Sequence, residues 1–305
     1  MMRTMRLLPL LAATLLLGPG SGRAETPETI LIRATLANEL AGHRRAEPEL
    51  ALAAYDADAV RLDGHGNADP RAWTFVADER DGLAARLRQD LDTYRYDVER
   101  TLPLIAVRGA QAMVISIDSG LVSDRRGVAQ STASVRRWWL LRKVEKDWRI
   151  TLQVDDLGDS LLPAPAGAGV VDAEVAAALT ADQRAWEAAD AGALAGLYDE
   201  SLLGMDGVHT ARPETWRLLF AGLDEWRLYL QRRLANTSYT IGRQILYAQT
   251  SPGRRQAVAL TTERLTTRLR AGDQAETLER QVLWLLVRRG GDWKVYTFCY
   301  GFRLL

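Results

Sequence analysis

Two Asp-Gly pairs, Asp63-Gly64 and Asp206-Gly207, hold the residue types of acid–base chemistry. A tyrosine stands eight positions ahead of each aspartate (Tyr55 and Tyr198), and a histidine follows closely, His65 directly after one glycine and His209 two residues after the other. A carboxyl group in apolar surroundings has its pKa raised by desolvation and serves as a general acid or base. A tyrosine hydroxyl donates to a developing oxyanion, a role open to Tyr96 and Tyr239 as well. Arg100 and Arg243, if buried, would clamp a carboxylate or phosphate. Trp73 and Trp216 would wall a pocket for a hydrophobic or sugar-like ligand.

Each candidate also has a plainer role, and the plainer role is preferred. An Asp before Gly satisfies backbone groups of a turn. The tyrosines, each followed by Asp at a helix end, would pack on the core. The arginines read as exposed strand residues, and the tryptophans as core residues of an amphipathic third helix. The histidines stand at different steps after their glycines, so chemistry in one half is not copied in the other. With only His43, His65 and His209 and no ligand spacing between them, no zinc site is expected. Phosphate loop, serine elbow and Cys/His protease pairing are all missing, and no cofactor is implied.

The elements that position these residues repeat. Tyr55-Asp56, Asp63-Gly64, Pro70, Trp73, Tyr96 and Arg100 recur 143 positions later as Tyr198-Asp199, Asp206-Gly207, Pro213, Trp216, Tyr239 and Arg243. Further on the offset is 145: Trp139-Leu140-Leu141 and Asp147-Trp148 recur as Trp284-Leu285-Leu286 and Asp292-Trp293. A longer hairpin around Ser251-Pro252-Gly253 accounts for the change. Each half reads as two helices, a short strand, a third helix opened by Pro70 or Pro213, and an antiparallel meander, an α+β order. Asp172 and Asp190 are placed as N-caps and Pro48 at a first helical position. The strand Gln281 to Val287 is apolar on both alternating faces, and Trp138 and Trp139 point opposite ways. Such strands need cover on both sides, which predicts an intramolecular pseudo-twofold pairing of the halves.

This order, with Leu197-Tyr198-Asp199, the Asp-Gly after it and the closing Trp139–Trp148 and Trp284–Trp293 hairpins, resembles the NTF2-like (SnoaL-like) superfamily. The resemblance covers both halves and implies two tandem cones, each with three helices on a curved antiparallel sheet and a ligand site inside. It implies that Asp63, His65, Asp206 and His209, with the tyrosines, resemble acid–base sites of the superfamily's isomerases and dehydratases. Its motifs are signatures of fold and leave function open. Some exported peptidoglycan L,D-transpeptidases carry a similar accessory domain. This chain lacks their catalytic cysteine domain, so that likeness implies only binding to cell-wall material or an envelope partner.

Composition places the whole. The first 24 of 305 residues contain Arg3, Arg6 and Arg23 and no acid, an apolar run from Leu7 to Leu17, and small residues at Gly22 and Ala24. They read as a cleaved export signal, 1–24, too short to span a membrane, so the protein is expected to be secreted to the periplasm. Without it, 36 of the 39 basic side chains face 39 acidic ones, a balance that excludes a strongly basic nucleic-acid binder. The expected domains are 25–161 and 170–305, joined by a Pro/Gly/Ala linker at 162–169. Cys299 is the single cysteine, so no intrachain disulfide forms and packing must hold the halves together. The preferred reading is a non-catalytic module that binds a small apolar or sugar-like ligand or an envelope protein. A cofactor-free acid–base enzyme acting in one cone is the alternative, and a structural assembly partner with closed cones is the third.

Overall fold

The computed structural model describes residues 25–126, 129–158, 170–272 and 274–303. The expected export signal (1–24) and linker (162–169) lie outside the described residues. In the first half, helices α1 (Pro27–Arg45) and α2 (Pro48–Leu52) lead into strand β1 (Tyr55–Asp63). A 3-10 turn (Pro70–Ala72), strand β2 (Thr74–Ala77) and helix α3 (Arg80–Thr93) follow. The half closes with β3 (Tyr94–Arg108), β4 (Gln111–Asp124), β5 (Ala129–Val144) and β6 (Asp147–Asp155). The second half repeats this as α4 (Ala173–Glu187), α5 (Ala191–Leu197), β7 (Tyr198–Asp206), a 3-10 turn (Pro213–Thr215), β8 (Arg217–Ala221) and α6 (Leu223–Asn236). Its meander is β9 (Thr237–Thr250), β10 (Gln256–Leu269), β11 (Ala275–Arg289) and β12 (Asp292–Phe302). Among the described residues, no helix is long and apolar enough to cross a membrane.

Local chemistry sets the helix starts. Asp172 accepts from Glu174 N at 3.0 Å and Asp190 from Ala193 N at 2.9 Å, capping α4 and α5 as their sequence predicts. Two expectations are corrected. Tyr55 lies past the end of α2 and opens strand β1, whereas Tyr198 stands at the end of α5 as expected, being its C-cap and also the first residue of β7. Pro70 and Pro213 open only 3-10 turns, and the third helices begin later, at Arg80 and Leu223. The reason is an intervening edge strand: β2 pairs with β1 (Leu62 beside Phe75) and β8 with β7 (Met205 beside Leu218), so the chain must be extended directly after each tryptophan.

The sheet orders are β2-β1-β6-β5-β4-β3 and β8-β7-β12-β11-β10-β9. The sheets are mixed rather than purely antiparallel, because β1 lies parallel to β6 and β7 parallel to β12. Parallel neighbours are possible there because a long crossover, not a hairpin, separates each pair in sequence. One face of each sheet carries its own helices, with Ile32, Leu36, Leu83 and Leu87 against Trp139 in the first half. Val175, Leu179, Trp226 and Leu230 cover Trp284 in the second. This is the tandem α+β cone arrangement.

The opposite faces of the two sheets meet each other. Val60, Leu62, Ile115, Trp138 and Leu140 share one buried cluster with Leu260, Leu283, Leu285 and Val287. Strand alternation sends Trp138 into this seam and Trp139 into the cone. Trp138 is fully buried, 6.2 Å from Trp73 and 5.2 Å from Trp216 across the seam. A large apolar side chain contributes about 1.5–3 kcal/mol on burial, so the seam holds the halves together by packing, without a disulfide. Cys299 is buried in it, and burial pushes its thiol well above the ordinary range. Arg136 with Glu214 (3.1 Å) and Arg108 with Glu225 (2.8 Å) add ion pairs between the halves.

Candidate functional site

The Asp-Gly pairs form turns. Asp63 Oδ1 accepts from His65 N at 2.8 Å, and Asp206 Oδ1 from Val208 N at 2.9 Å. Gly64 N donates to the Asp155 carbonyl at 2.7 Å, and Gly207 N to that of Tyr300 at 2.6 Å. A Cβ on Gly64 would stand 2.8 Å from the Asp156 carbonyl oxygen, so this close approach requires glycine. The His65 side chain is 52 % exposed, with Nε2 2.8 Å from Thr74 Oγ1 and Nδ1 3.5 Å from Asp63. His209 is exposed at φ 59°. Asp63 and His65 thus come together at a surface turn, and Asp206 and His209 occupy the equivalent turn of the other half. Trp73 and Trp216 wall the seam, and their indole N–H groups donate to the carbonyls of Asn67 (3.2 Å) and Thr210 (3.1 Å).

The first cone is filled with charge. Arg100 is buried, not exposed, and joins Glu39 to Asp118 with contacts of 2.7 Å to each. Arg137 bridges Asp118 and Asp155, the latter at 2.5 Å, and Arg61 joins Asp155 (2.6 Å) to Asp90 (3.4 Å). The Tyr55 hydroxyl donates to Gln153 Oε1 and stands 3.2 Å from Glu39. His43 Nε2 donates to Glu39 at 2.9 Å, and its ring meets Tyr96 edge-on at 5.1 Å. Desolvation opposes ionisation of Glu39, but Arg100 and His43 outweigh it and hold the carboxyl well below the usual range. Burial likewise raises Asp155, and Arg61 and Arg137 reverse that, leaving it lowered. Carboxylates held this firmly ionised are poor general acids or bases near neutrality. Burial and Asp90 push the Tyr96 hydroxyl up to about 12.

The second cone has a smaller ionic floor under an aromatic cavity. Arg243 is buried between Asp182 and Glu263, 2.7 Å from each, and its guanidinium lies 4.8 Å from the Trp284 ring centre. Tyr198 donates to Asp182 Oδ1 at 2.7 Å, and Arg280 Nε donates to Glu263 at 2.9 Å. Burial raises the Asp182 carboxyl despite Arg243, which it shares with Glu263. Above this floor is a cavity of about 200 Å³ walled by Trp186, Tyr229, Tyr239 and Tyr300, with Arg233 and Arg280 beside them. Trp186 and Tyr239 meet edge-on at 4.9 Å, and the Arg280 guanidinium lies 4.0 Å from the Tyr300 ring centre. Burial raises the Tyr239 and Tyr300 hydroxyls, so both remain protonated donors at neutral pH. Arg100 and Arg243 therefore clamp the protein's own carboxylates. Their acid partners went unnoticed in sequence, although Glu39/Asp182 and Asp118/Glu263 recur at the same offsets of 143 and 145 as the other matches.

No family model matches this chain, and no curated protein does. Solved structures similar to it include a ketosteroid isomerase-like protein from Erwinia carotovora atroseptica, at 21 % identity over 43 % of this chain and 96 % of that chain, TM-score 0.36. NTF2-like proteins of unknown function from Shewanella baltica (15 % identity, 42 % and 91 % covered, TM-score 0.31) and Silicibacter pomeroyi (14 %, 42 % and 93 %, TM-score 0.32) are similar to the same extent. At these identities the likeness concerns fold and says nothing of activity.

Proposed function

We propose that this tandem of NTF2-like cones binds a small ligand, and that the second cone is the site. The observation that carries this is the cavity of about 200 Å³ with four aromatic walls and two arginines. It falls below the ~300–1,000 Å³ of drug-sized sites, which limits the ligand to about one ring. Faces of Trp186 and Tyr239 suit a flat apolar body, while the Tyr239 and Tyr300 hydroxyls and Arg280 suit a polar edge. Binding is favoured over catalysis because no histidine lines this cavity and Asp182 lies beneath its floor. The Asp63/His65 and Asp206/His209 sets stand on turns instead.

The test is thermal stabilisation of the mature chain by single-ring aromatic probes such as benzoate, phenol and indole. At a hundredfold excess over Kd a ligand stabilises by about 2.7 kcal/mol, enough to raise Tm by several degrees. Tyr239→Ala should lose that response. No shift with any probe, or an equal shift in the variant, would overturn the proposal. Export through residues 1–24 belongs to the same proposal, and N-terminal sequencing of the secreted protein should begin at Glu25.

A further inference from the structure

Two arginines, Arg280 and Arg233, meet at the cavity of the second cone. Neither has an arginine counterpart in the first half, where Val135 stands 145 positions before Arg280 and Asp90 143 positions before Arg233. Arg280 is fixed against the wall, with its side chain 15 % exposed. Its Nε and Nη2 both donate to Glu263 Oε2, at 2.9 Å and 2.8 Å, and its guanidinium carbon lies 4.0 Å from the Tyr300 ring centre. Arg233 is tethered on α6, where its Nε donates to the Tyr229 hydroxyl at 3.2 Å and its guanidinium lies 5.5 Å from that ring centre. Burial raises the Tyr239 hydroxyl and Tyr229 adds to the rise, while Arg233 and Arg280 both oppose it, so the two cations converge on one hydroxyl.

The Tyr229 and Tyr239 hydroxyls already have partners in Arg233 and Thr237. Among the described residues, no hydrogen bond or ion pair engages Arg280 Nη1 or either Nη of Arg233. Because Glu263 takes the Nε/Nη2 edge of Arg280, the end-on Nη1/Nη2 edge is left, and such a fork matches one carboxylate bidentately. A cationic ligand is disfavoured, since guanidinium groups already lie over the Tyr300 and Tyr229 rings. A neutral ring would strip water from the free edge and leave it unpaired. The nearby acids do not repel an anion there. Asp182 and Glu263 are held by Arg243 and Arg280, and Glu276 lies four residues before Arg280 on β11, about 13 Å along the strand. A cavity of ~150 Å³ holds one benzene ring, so about 200 Å³ takes one ring with one small substituent. We infer, on the reading of the second cone as a binding site, that its ligand is a single-ring aromatic carboxylate, with the ring against Trp186 and Tyr239 and the carboxylate on Arg280.

The experiment is calorimetric titration of the mature full chain with benzoate, benzamide, benzylamine and acetate. Benzoate should bind saturably, and benzamide, of the same shape but uncharged, at least about tenfold more weakly. Benzylamine and acetate should give no saturable heat up to about 10 mM. Arg280→Lys keeps a cation for Glu263 and removes the fork, so it should weaken benzoate by about tenfold or more and leave benzamide within about twofold. If that variant does not fold, the ratio of benzoate to benzamide affinity in the unaltered chain decides. Benzamide binding as tightly as benzoate would overturn the carboxylate assignment and leave the cone a site for neutral rings. An unchanged preference in a folded Arg280→Lys variant would overturn it too, as would acetate binding as tightly as benzoate, the site then being a simple anion patch. Silence from every ring probe would overturn both this assignment and the cone reading.

Discussion

Replacing Arg243 by Met removes the cation that neutralises two carboxylates in the second cone while keeping side-chain length. Glu263 retains Arg280 at 2.8 Å, but Asp182, fully buried, keeps only the Tyr198 hydroxyl. Breaking a buried pair from one side costs about 3–5 kcal/mol. A second route bounds the cost. The fold can escape the unpaired charge by protonating Asp182, at about 1.4 kcal/mol for each pH unit above the ~3.9 of an unfolded aspartate. That limit is about 4 kcal/mol at pH 7 and about 1.5 kcal/mol at pH 5. Urea unfolding followed by tryptophan fluorescence should therefore show a large loss at pH 7 that more than halves at pH 5. Adding Asp182→Leu to Arg243→Met should recover most of the loss, because no unpaired charge then remains. A loss below about 1 kcal/mol at pH 7 would refute the assignment of Arg243 as the ionic keystone, as would an equal loss at both pH values.

Three further outcomes follow from the same structure. Glu39 and Asp155 have folded pKa values below their unfolded ones, so the stability they contribute is present above about pH 4 and is lost as pH falls through the folded values; urea midpoints measured from pH 6 downward should fall steeply below about pH 4. Asp63→Ala and Asp206→Ala should each cost about 1 kcal/mol, the loss of one turn hydrogen bond, and leave ligand stabilisation by the cone probes unaltered; loss of that response would revive a catalytic or binding role for the turns. Trp138→Ala should cost about 3–5 kcal/mol and loosen both halves together, because its ring touches Trp73 on one side of the seam and Trp216 on the other; differential scanning calorimetry resolving two separate transitions, with one unmoved, would contradict a shared core.

How far the sequence reaches can be judged residue by residue. Asp172 and Asp190 are legible as caps because a helix start needs only local chemistry, an oxygen within three residues of an unpaired N–H. The seam is legible because strand alternation makes a doubly apolar strand visible without any knowledge of its neighbours. The edge strands β2 and β8 are not, since Thr74–Ala77 and Arg217–Ala221 are too short to show a period and are extended only because β1 and β7 pair with them. Arg100 and Arg243 look like solvent-facing strand residues in an arginine-rich chain; what fixes their burial is a carboxylate on α1 or α4, 61 positions away in each half. The aromatic cavity stays hidden for the same reason, because its walls come from α4, α6 and four strands.

The two cones show where duplication left freedom to diverge. Positions at the centre of the seam must suit the other half, and pairs such as Leu62 and Met205, Ile115 and Leu260, Trp138 and Leu283, and Leu140 and Leu285 keep apolar character in both copies, while at the margin Val287 corresponds to Arg142. The outer frame of each ion cluster is also retained: Arg100 and Arg243 each join an acid on the first helix to an acid on the meander, and Trp139 and Trp284 donate to Ser116 (2.9 Å) and Thr261 (3.0 Å). Toward the mouth the copies part. His43, Arg61, Arg137 and Asp155 of the first cone correspond to Trp186, Gly204, Val282 and Tyr300 of the second. The exchange is coordinated, since a charge removed alone would strand its partner at several kcal/mol. Gly204 opens the space that Phe220 and Phe298 occupy, and a Cβ there would stand 2.6 Å and 2.7 Å from their rings. A cone lined by ions that satisfy one another presents little to a ligand, whereas rings and tyrosine hydroxyls leave faces and donors unspent. Divergence inside a conserved pair of shells thus leaves the first cone filled by its own ion pairs and the second with unspent ring faces, which is why the proposed binding site is placed in the second half.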